Sequence, residues 1–310
     1  MGIELQSARF LLACRRLNIS FRRLATIGHQ TFYISRKQVG PLLAEFDFHP
    51  SASQLAELES CAGTFADPFL RFLGAEEMVV LDASSYEGAT VIHDMNGPIP
   101  PSLKERFDLV YDGGSLEHIF NFPSAIANCI EMVRPGGHFI GINPTNNLSG
   151  HGFYQFSAEL YYRVFSSENG LRVLHAVVAE DRGPFYSIPD PAKMARRVAF
   201  VNSEPTQLMI LARKESSVPL FANTPQQSDY SAAWRGKPPV EEQCPAEPVL
   251  KTHAKTVIAA VEKAVPPVRK MTGSIRRFRG RRAYVKSLLD GLQGCADLVP
   301  LPDHRLPNSD

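Results

Sequence analysis

A doubly wound, mostly parallel α/β sheet with Rossmann-like order and helices on both faces is the fold class the sequence predicts. Two observations point to it. Seven short apolar runs rich in β-branched residues alternate with stretches of helical periodicity, and the first five end in polar or small residues. A third observation bounds the answer. With 310 residues, 44% apolar and 21% charged, the chain suffices for one large domain or a core domain with an appendage. No window of 18 apolar residues occurs, which excludes a membrane-spanning helix, and the arginine-interrupted N-terminus does not read as a signal peptide.

The elements follow in order. Residues 24–27 (LATI) form the first run and lead into Gly28, His29 and Gln30. Helical pieces are expected around 53–61 and 67–73, before the second run at 78–81 (MVVL) ends in Asp82. The third, 89–92 (ATVI), ends in His93 and Asp94, and the fourth, 107–111 (FDLVY), in Asp112, Gly113 and Gly114. In NFPSAIANCIEMVRPGG, Asn121 reads as an N-cap with Pro123 in the first turn. Arg134 is placed in the last turn of that helix, with Pro135, Gly136 and Gly137 as its stop. The fifth run, 138–142 (HFIGI), leads to Asn143, and a helix is expected over 157–165. Runs at 173–178 and 207–212 complete the sheet.

Three regions are expected. Residues 1–215 form the α/β domain, 216–250 a proline-rich linker in which Trp234 is a conceivable anchor, and 251–310 a basic, partly helical tail. The tail holds 12 Lys and Arg against five Asp and Glu, so an acidic body carries a basic appendage. Helices at 256–265 and 274–289 would place Arg276, Arg277, Arg279, Arg281, Arg282 and Lys286 among apolar residues. Such a tail suits docking on the acidic body or contact with an anionic membrane surface. No nucleic-acid motif accompanies it. Five scattered cysteines, with no cysteine–histidine cluster at zinc spacing, fit a reducing cytoplasm and give no sign of a metal site.

Ligands of open α/β sheets bind outside the carboxyl ends of the strands. There the segment 75–145 resembles class I S-adenosylmethionine-dependent methyltransferases. The marks are an acidic residue after the second strand, "HD" after the third, then FDLVYDGGSLEH and MVRPGGHFI. The run GHGFYQFSAELYYRVF is further similar to uncharacterised methyltransferase-like proteins from polysaccharide-synthesis regions. The resemblance implies S-adenosylmethionine as cofactor and a small-molecule or sugar acceptor. It assigns Gly28, Asp82, Asp94, Met95, Asp112 and Gly113 to the cofactor. Asp82, an acceptor-only carboxylate, would take the ribose diol, and Asp94 the adenine amino group with Met95 against the ring. Asp112, with Gly113 and Gly114, would lie near the sulfonium end. A hydroxyl acceptor also needs a base, for which His118 ranks before Glu117 and His151.

The family's first loop carries E/D-x-G-x-G-x-G, whereas TIGHQTFY has only Gly28. The separation of 54 residues between Gly28 and Asp82 implies an insertion or a misplaced first strand. A catalytically silent scaffold is therefore the alternative. An oxidoreductase would need G-x-G-x-x-G and a serine hydrolase G-x-S-x-G, and the chain has neither.

Overall fold

The computed structural model describes residues 2–194, 196–236 and 297–308. The chain opens with β1 (Gly2–Ile3) and α1 (Leu5–Arg16), followed by β2 (Arg23–Ile27) and β3 (Thr31–Phe32). Three helices come next: α2 (Arg36–Glu45), α3 (Ala52–Ser60) and α4 (Asp67–Phe72). These fill the expected insertion. The Ser51 hydroxyl caps α3 by accepting from the Gln54 amide at 3.3 Å, while Gln54 Oε1 accepts from the Ser51 amide at 2.9 Å.

Strands β4 (Glu77–Asp82), β5 (Val91–Ile92) and β6 (Phe107–Asp112) follow, then α5 (Phe122–Met132), β7 (Val133–Asn146) and α6 (Ala158–Val164). The second half adds β8 (Leu171–Glu180), β9 (Phe185–Ser187), α7 (Pro191–Met194), β10 (Thr206–Lys214), α8 (Ser228–Trp234) and β11 (Val299–Leu301).

Among the described residues, nine strands make one sheet in the order β11-β9-β8-β10-β7-β6-β2-β4-β5. β5, β4, β2, β6 and β7 run parallel, and β10 is antiparallel to both β7 and β8. The chain runs outward from β2 through β4 to β5 and then crosses to β6 on the opposite side of β2. The sheet therefore changes direction between β2 and β6, and the run 24–27 is a strand of the sheet, paired with β4 on one side and β6 on the other.

Alternation along the strands sorts the core into two layers. Leu24, Leu109, Tyr111, Ile140 and Ile142 face α1 to α4, while Ala25, Ile27, Val110 and Phe139 face α5 and α6. On α5, Ile126 and Ile130 are fully buried, each contributing about 2 kcal/mol by removal of apolar surface from water. The side-chain Oδ1 of Asn121 caps this helix by accepting from the Ser124 amide at 3.4 Å, as expected from the sequence.

The end of α5 differs from expectation. The helix stops at Met132, and Arg134 lies in a four-residue excursion of β7 between the pairs Phe107–Val133 and Leu109–His138. Its guanidinium reaches the neighbouring strand, where Nε donates to Asp108 Oδ1 at 2.6 Å. A cross-strand charge pair, not the helix terminus, holds this arginine.

The regions after 215 differ too. α8 lies within the proposed linker, tied to the body by Ser228, whose Oγ donates to Glu159 at 2.6 Å, and by Arg197, whose Nε stands 2.7 Å from Asp229. Trp234 is 69% exposed and, among the described residues, stacks on Tyr230 of its own helix and does not anchor it to the body. Residues 297–308 return to the body: β11 extends the sheet beside β9, and Leu298 and Leu306 are buried. The basic helices expected at 256–265 and 274–289 lie outside the described residues. Among the described residues no helix is long and apolar enough to cross a membrane.

Candidate active site

The carboxyl ends of β2, β4, β5, β6 and β7 share one edge of the sheet, with the change of direction between β2 and β6 at its middle. Each of the three strand-end aspartates first holds its own turn. Asp82 Oδ1 accepts from the Ser84 amide at 3.0 Å and Asp94 Oδ1 from the Asn96 amide at 2.9 Å. Asp112 Oδ1 accepts from the amides of Ser115 (2.9 Å) and Leu116 (3.2 Å). The resemblance in sequence thus coincides with turn chemistry.

They differ in what remains free. Asp82 is half-buried and Asp94 exposed, and the second oxygen of each has no protein partner among the described residues. Hydrogen bonds from the Asn96 amide and side chain hold the Asp94 carboxyl below the usual range. Asp112 is fully buried, and its Oδ2 accepts from Asn143 Nδ2 at 2.6 Å. It is a loop anchor shut off from solvent, and a direct contact to a bound cofactor does not fit that burial. The Met95 side chain packs in the α5 layer at 4% exposure, and its carbonyl accepts from Asn128, which leaves its backbone rather than its side chain for the expected place against a ring.

The loop after β2 is filled by side chains. Gly28 has φ +74°, a conformation that favours glycine, and its amide donates to Leu81 O at 2.7 Å. His29 stacks on Phe65 at 3.6 Å between ring centroids, with Nε2 2.8 Å from Asp67 and Nδ1 2.7 Å from Glu87 O. Gln30 is buried and donates to the carbonyls of Ile27 and Gly28. Its Oε1 lies where a Cβ on Gly113 would stand, 2.7 Å from which is the Tyr111 hydroxyl. Gly113 therefore makes room for Gln30, and that face of it is not open to a ligand.

Beyond Asp112, a 3-10 turn over Leu116–His118 brings Glu117 and His118 toward the loop after β7. The Glu117 carbonyl accepts from the amides of Phe153 (2.8 Å) and Tyr154 (3.3 Å), so His151 is held nearby. His151 Nε2 stands 3.4 Å from Glu117 Oε1, and the rings of His118 and His151 are 5.1 Å apart. The three sequence candidates for handling an acceptor thus come together. Burial, then the positive field of His151, lowers the affinity of His118 for a proton, which favours its neutral form.

Glu117 is itself buried, and Asn143 Nδ2 donates to its Oε2 at 3.0 Å while also serving Asp112. Tyr161 donates its hydroxyl to Asn143 Oδ1, which fixes the amide's orientation. Burial, then the Glu117 charge, pushes the Asp112 carboxyl well above the usual carboxylate range, and burial raises Glu117 as well. The sequence assigns no part to Asn143 and makes Tyr161 core or pocket wall, which its full burial fits. The only signal was position: Asn143 follows a strand whose neighbour ends in a carboxylate, and Tyr161 lies on the next helix.

No protein-family model and no curated protein matches the sequence. Solved structures similar in fold include the Burkholderia thailandensis 1,6-didemethyltoxoflavin-N1-methyltransferase with bound S-adenosylhomocysteine, at 12% identity and TM-score 0.40, covering 69% of this chain and 80% of that one. The N-methyltransferase NodS from Bradyrhizobium japonicum WM9 shares 14% identity at TM-score 0.37, over 66% of this chain and 93% of that one. The branched-chain polyamine synthase from Thermus thermophilus, solved with 5'-methylthioadenosine, shares 13% at TM-score 0.36, over 70% of this chain and 57% of that one. Likeness of this degree carries neither reaction nor substrate over to this chain.

Proposed function

We propose that the chain is a methyltransferase that uses S-adenosylmethionine and a small-molecule acceptor. One observation carries the reading. Asp82 and Asp94, at the ends of β4 and of the edge strand β5, on the same side of the sheet as the carboxyl ends of β2 and β6, each keep one carboxylate oxygen free after holding their own turn. Two free acceptors at neighbouring strand ends suit a ligand with a diol at one place and an amino group at another. When bound, this cofactor supplies a methyl group already activated on a positive sulfur.

Asp82 would accept from the ribose hydroxyls and Asp94 from the adenine amino group. Gly28 and Gly114, both at positive φ, would shape the backbone between β2 and β6. Asp112 would act at one remove, holding the loop 113–117 in place. Glu117, His118 and His151 are the groups set to receive an acceptor and its proton. A sugar acceptor and a cytoplasmic site, with the basic tail against an anionic membrane, belong to the same proposal.

One observation favours the silent alternative: His29 and Gln30 fill the loop that glycines would leave open. Hydrogen exchange with and without S-adenosylmethionine separates the two readings. Slower exchange confined to 82–88, 93–96 and 113–117 is the expected outcome; unchanged exchange at saturating cofactor would sink the catalytic reading.

A further inference from the structure

We propose that Glu117, His118 and His151 bind one divalent transition-metal ion at the carboxyl edge of the sheet. One carboxylate oxygen and one ring nitrogen from each histidine lie within 4.8 Å of one another. Ligand atoms bound at about 2.0–2.2 Å to a common tetrahedral ion stand about 3.4 Å apart. The difference is at most about 1.4 Å, and both histidine rings are at the surface, where side-chain rotations close it.

A second observation points to a ligand independently. Glu117 Oε1 is buried and has no hydrogen-bond partner, while the other oxygen of the same carboxylate is held by Asn143 at 3.0 Å. The free oxygen is the one aimed at His151 Nε2. A buried carboxylate oxygen left without a donor is costly. No lysine or arginine among the described residues forms an ion pair with Glu117 or with its buried neighbour Asp112. A bound cation would satisfy this oxygen and neutralise the pair.

The surroundings are built for the purpose. Asn143 fixes the rotation of the carboxylate and is itself fixed by Tyr161, an outer layer of the kind that orients metal ligands. Gly152 lets the two loops close: a Cβ there would stand 2.8 Å from Glu117 O and 3.1 Å from His118 Nδ1. Two imidazoles with one carboxylate favour ions such as Zn²⁺, Mn²⁺, Fe²⁺ or Co²⁺ over Mg²⁺ and Ca²⁺, which prefer all-oxygen sites. Three ligands from the chain leave room in the coordination shell for an oxygen of the acceptor. Resting on the methyl-transfer reading, the ion would activate a hydroxyl acceptor directly, and its proton would leave to solvent as the new O–C bond forms and the C–S bond breaks. Ion binding itself does not depend on that reading. The sequence hid the site because His151 is 33 positions from His118, far outside any short metal-binding spacing.

The test is titration of tag-free protein with Mn²⁺, followed by electron paramagnetic resonance, and with Co²⁺, followed by visible absorption. One ion per chain is expected. Binding should weaken at least tenfold in His151→Ala, whose side chain is half exposed and whose loss spares the fold. Glu117→Gln should weaken it as well, with circular dichroism checking that this buried substitution folds. Binding no different between the parent and His151→Ala would overturn the proposal and leave Glu117 and His151 as an ion pair only. Titrating the same samples with S-adenosylmethionine reports separately on the cofactor, so failure of either reading is distinguishable from failure of the other.

Discussion

Asp112 and Glu117 share one donor group: Asn143 Nδ2 stands 2.6 Å from Asp112 Oδ2 and 3.0 Å from Glu117 Oε2. Both carboxylates are buried, so this amide is what keeps two mutually repelling groups close together. Replacing it by leucine removes both bonds without restoring water. Asn143→Leu should cost about 3 kcal/mol in urea unfolding, the scale of two buried hydrogen bonds to ionisable groups. Tyr161→Phe removes only the bond that orients the amide and should cost about 1 kcal/mol.

Asp108 gives the pH dependence of the fold. Burial acts to raise its carboxyl, but hydrogen bonds from Arg23 and Arg134 outweigh that and bring it to about 2. The sign follows. A carboxyl lower in the folded than in the unfolded chain stabilises the fold above the ordinary aspartate range, and that contribution fades as pH falls from about 4 toward 2. Both arginines are partly exposed, which reduces the contribution to about 1–2 kcal/mol. Asp108→Asn should lower stability by this amount at pH 7 and by much less at pH 2.5, measured by thermal unfolding across pH.

Gly113 and Gln30 are coupled by space. A methyl group on Gly113 would overlap Gln30 Oε1 and crowd the Tyr111 hydroxyl. Gly113→Ala should therefore cost about 1–3 kcal/mol. In the Gln30→Ala background the same change should cost less, with a coupling of about 1 kcal/mol, because one of the two obstacles is gone. Equal costs in both backgrounds would show that Tyr111 alone sets the limit.

The C-terminal return is structural. Leu306 is buried in the layer that packs against α1, and Arg305 and Asp297 pair with Asp47 and Arg196. Leu306→Ala should destabilise the whole domain by about 2–3 kcal/mol, seen as one cooperative transition. A transition unchanged in midpoint would mean that this segment docks without contributing to stability.

The strands of the sheet were readable because their apolar runs are short, β-branched and closed by polar turns. The insertion before Asp82 follows from the 54 residues that separate it from Gly28. Other features depend on partners far away in sequence. Arg134 leaves the helix because Asp108 lies on the adjacent strand, 26 positions earlier. Met95 follows Asp94 at a strand end, yet its side chain belongs to the core beneath α5. Asp112 carries a family mark and a turn function in the same side chain, and only its burial separates the two. The grouping of Glu117, His118 and His151 is half visible in the sequence: each stands as a candidate base, but their meeting is made by backbone hydrogen bonds from Phe153 and Tyr154 to Glu117.

The central claim is that Asp82, at the end of β4, holds S-adenosylmethionine. Calorimetric titration of the purified chain with S-adenosylmethionine and with its demethylated product tests it most directly. Asp82→Asn is the informative variant, since an amide oxygen still holds the Ser84 turn while the ionised acceptor is lost. Micromolar binding of both ligands, weakened at least tenfold in Asp82→Asn, is the result expected from the loss of a charge-assisted bond. A folded sample that binds neither ligand, or binds them equally with and without the Asp82 carboxylate, would contradict it.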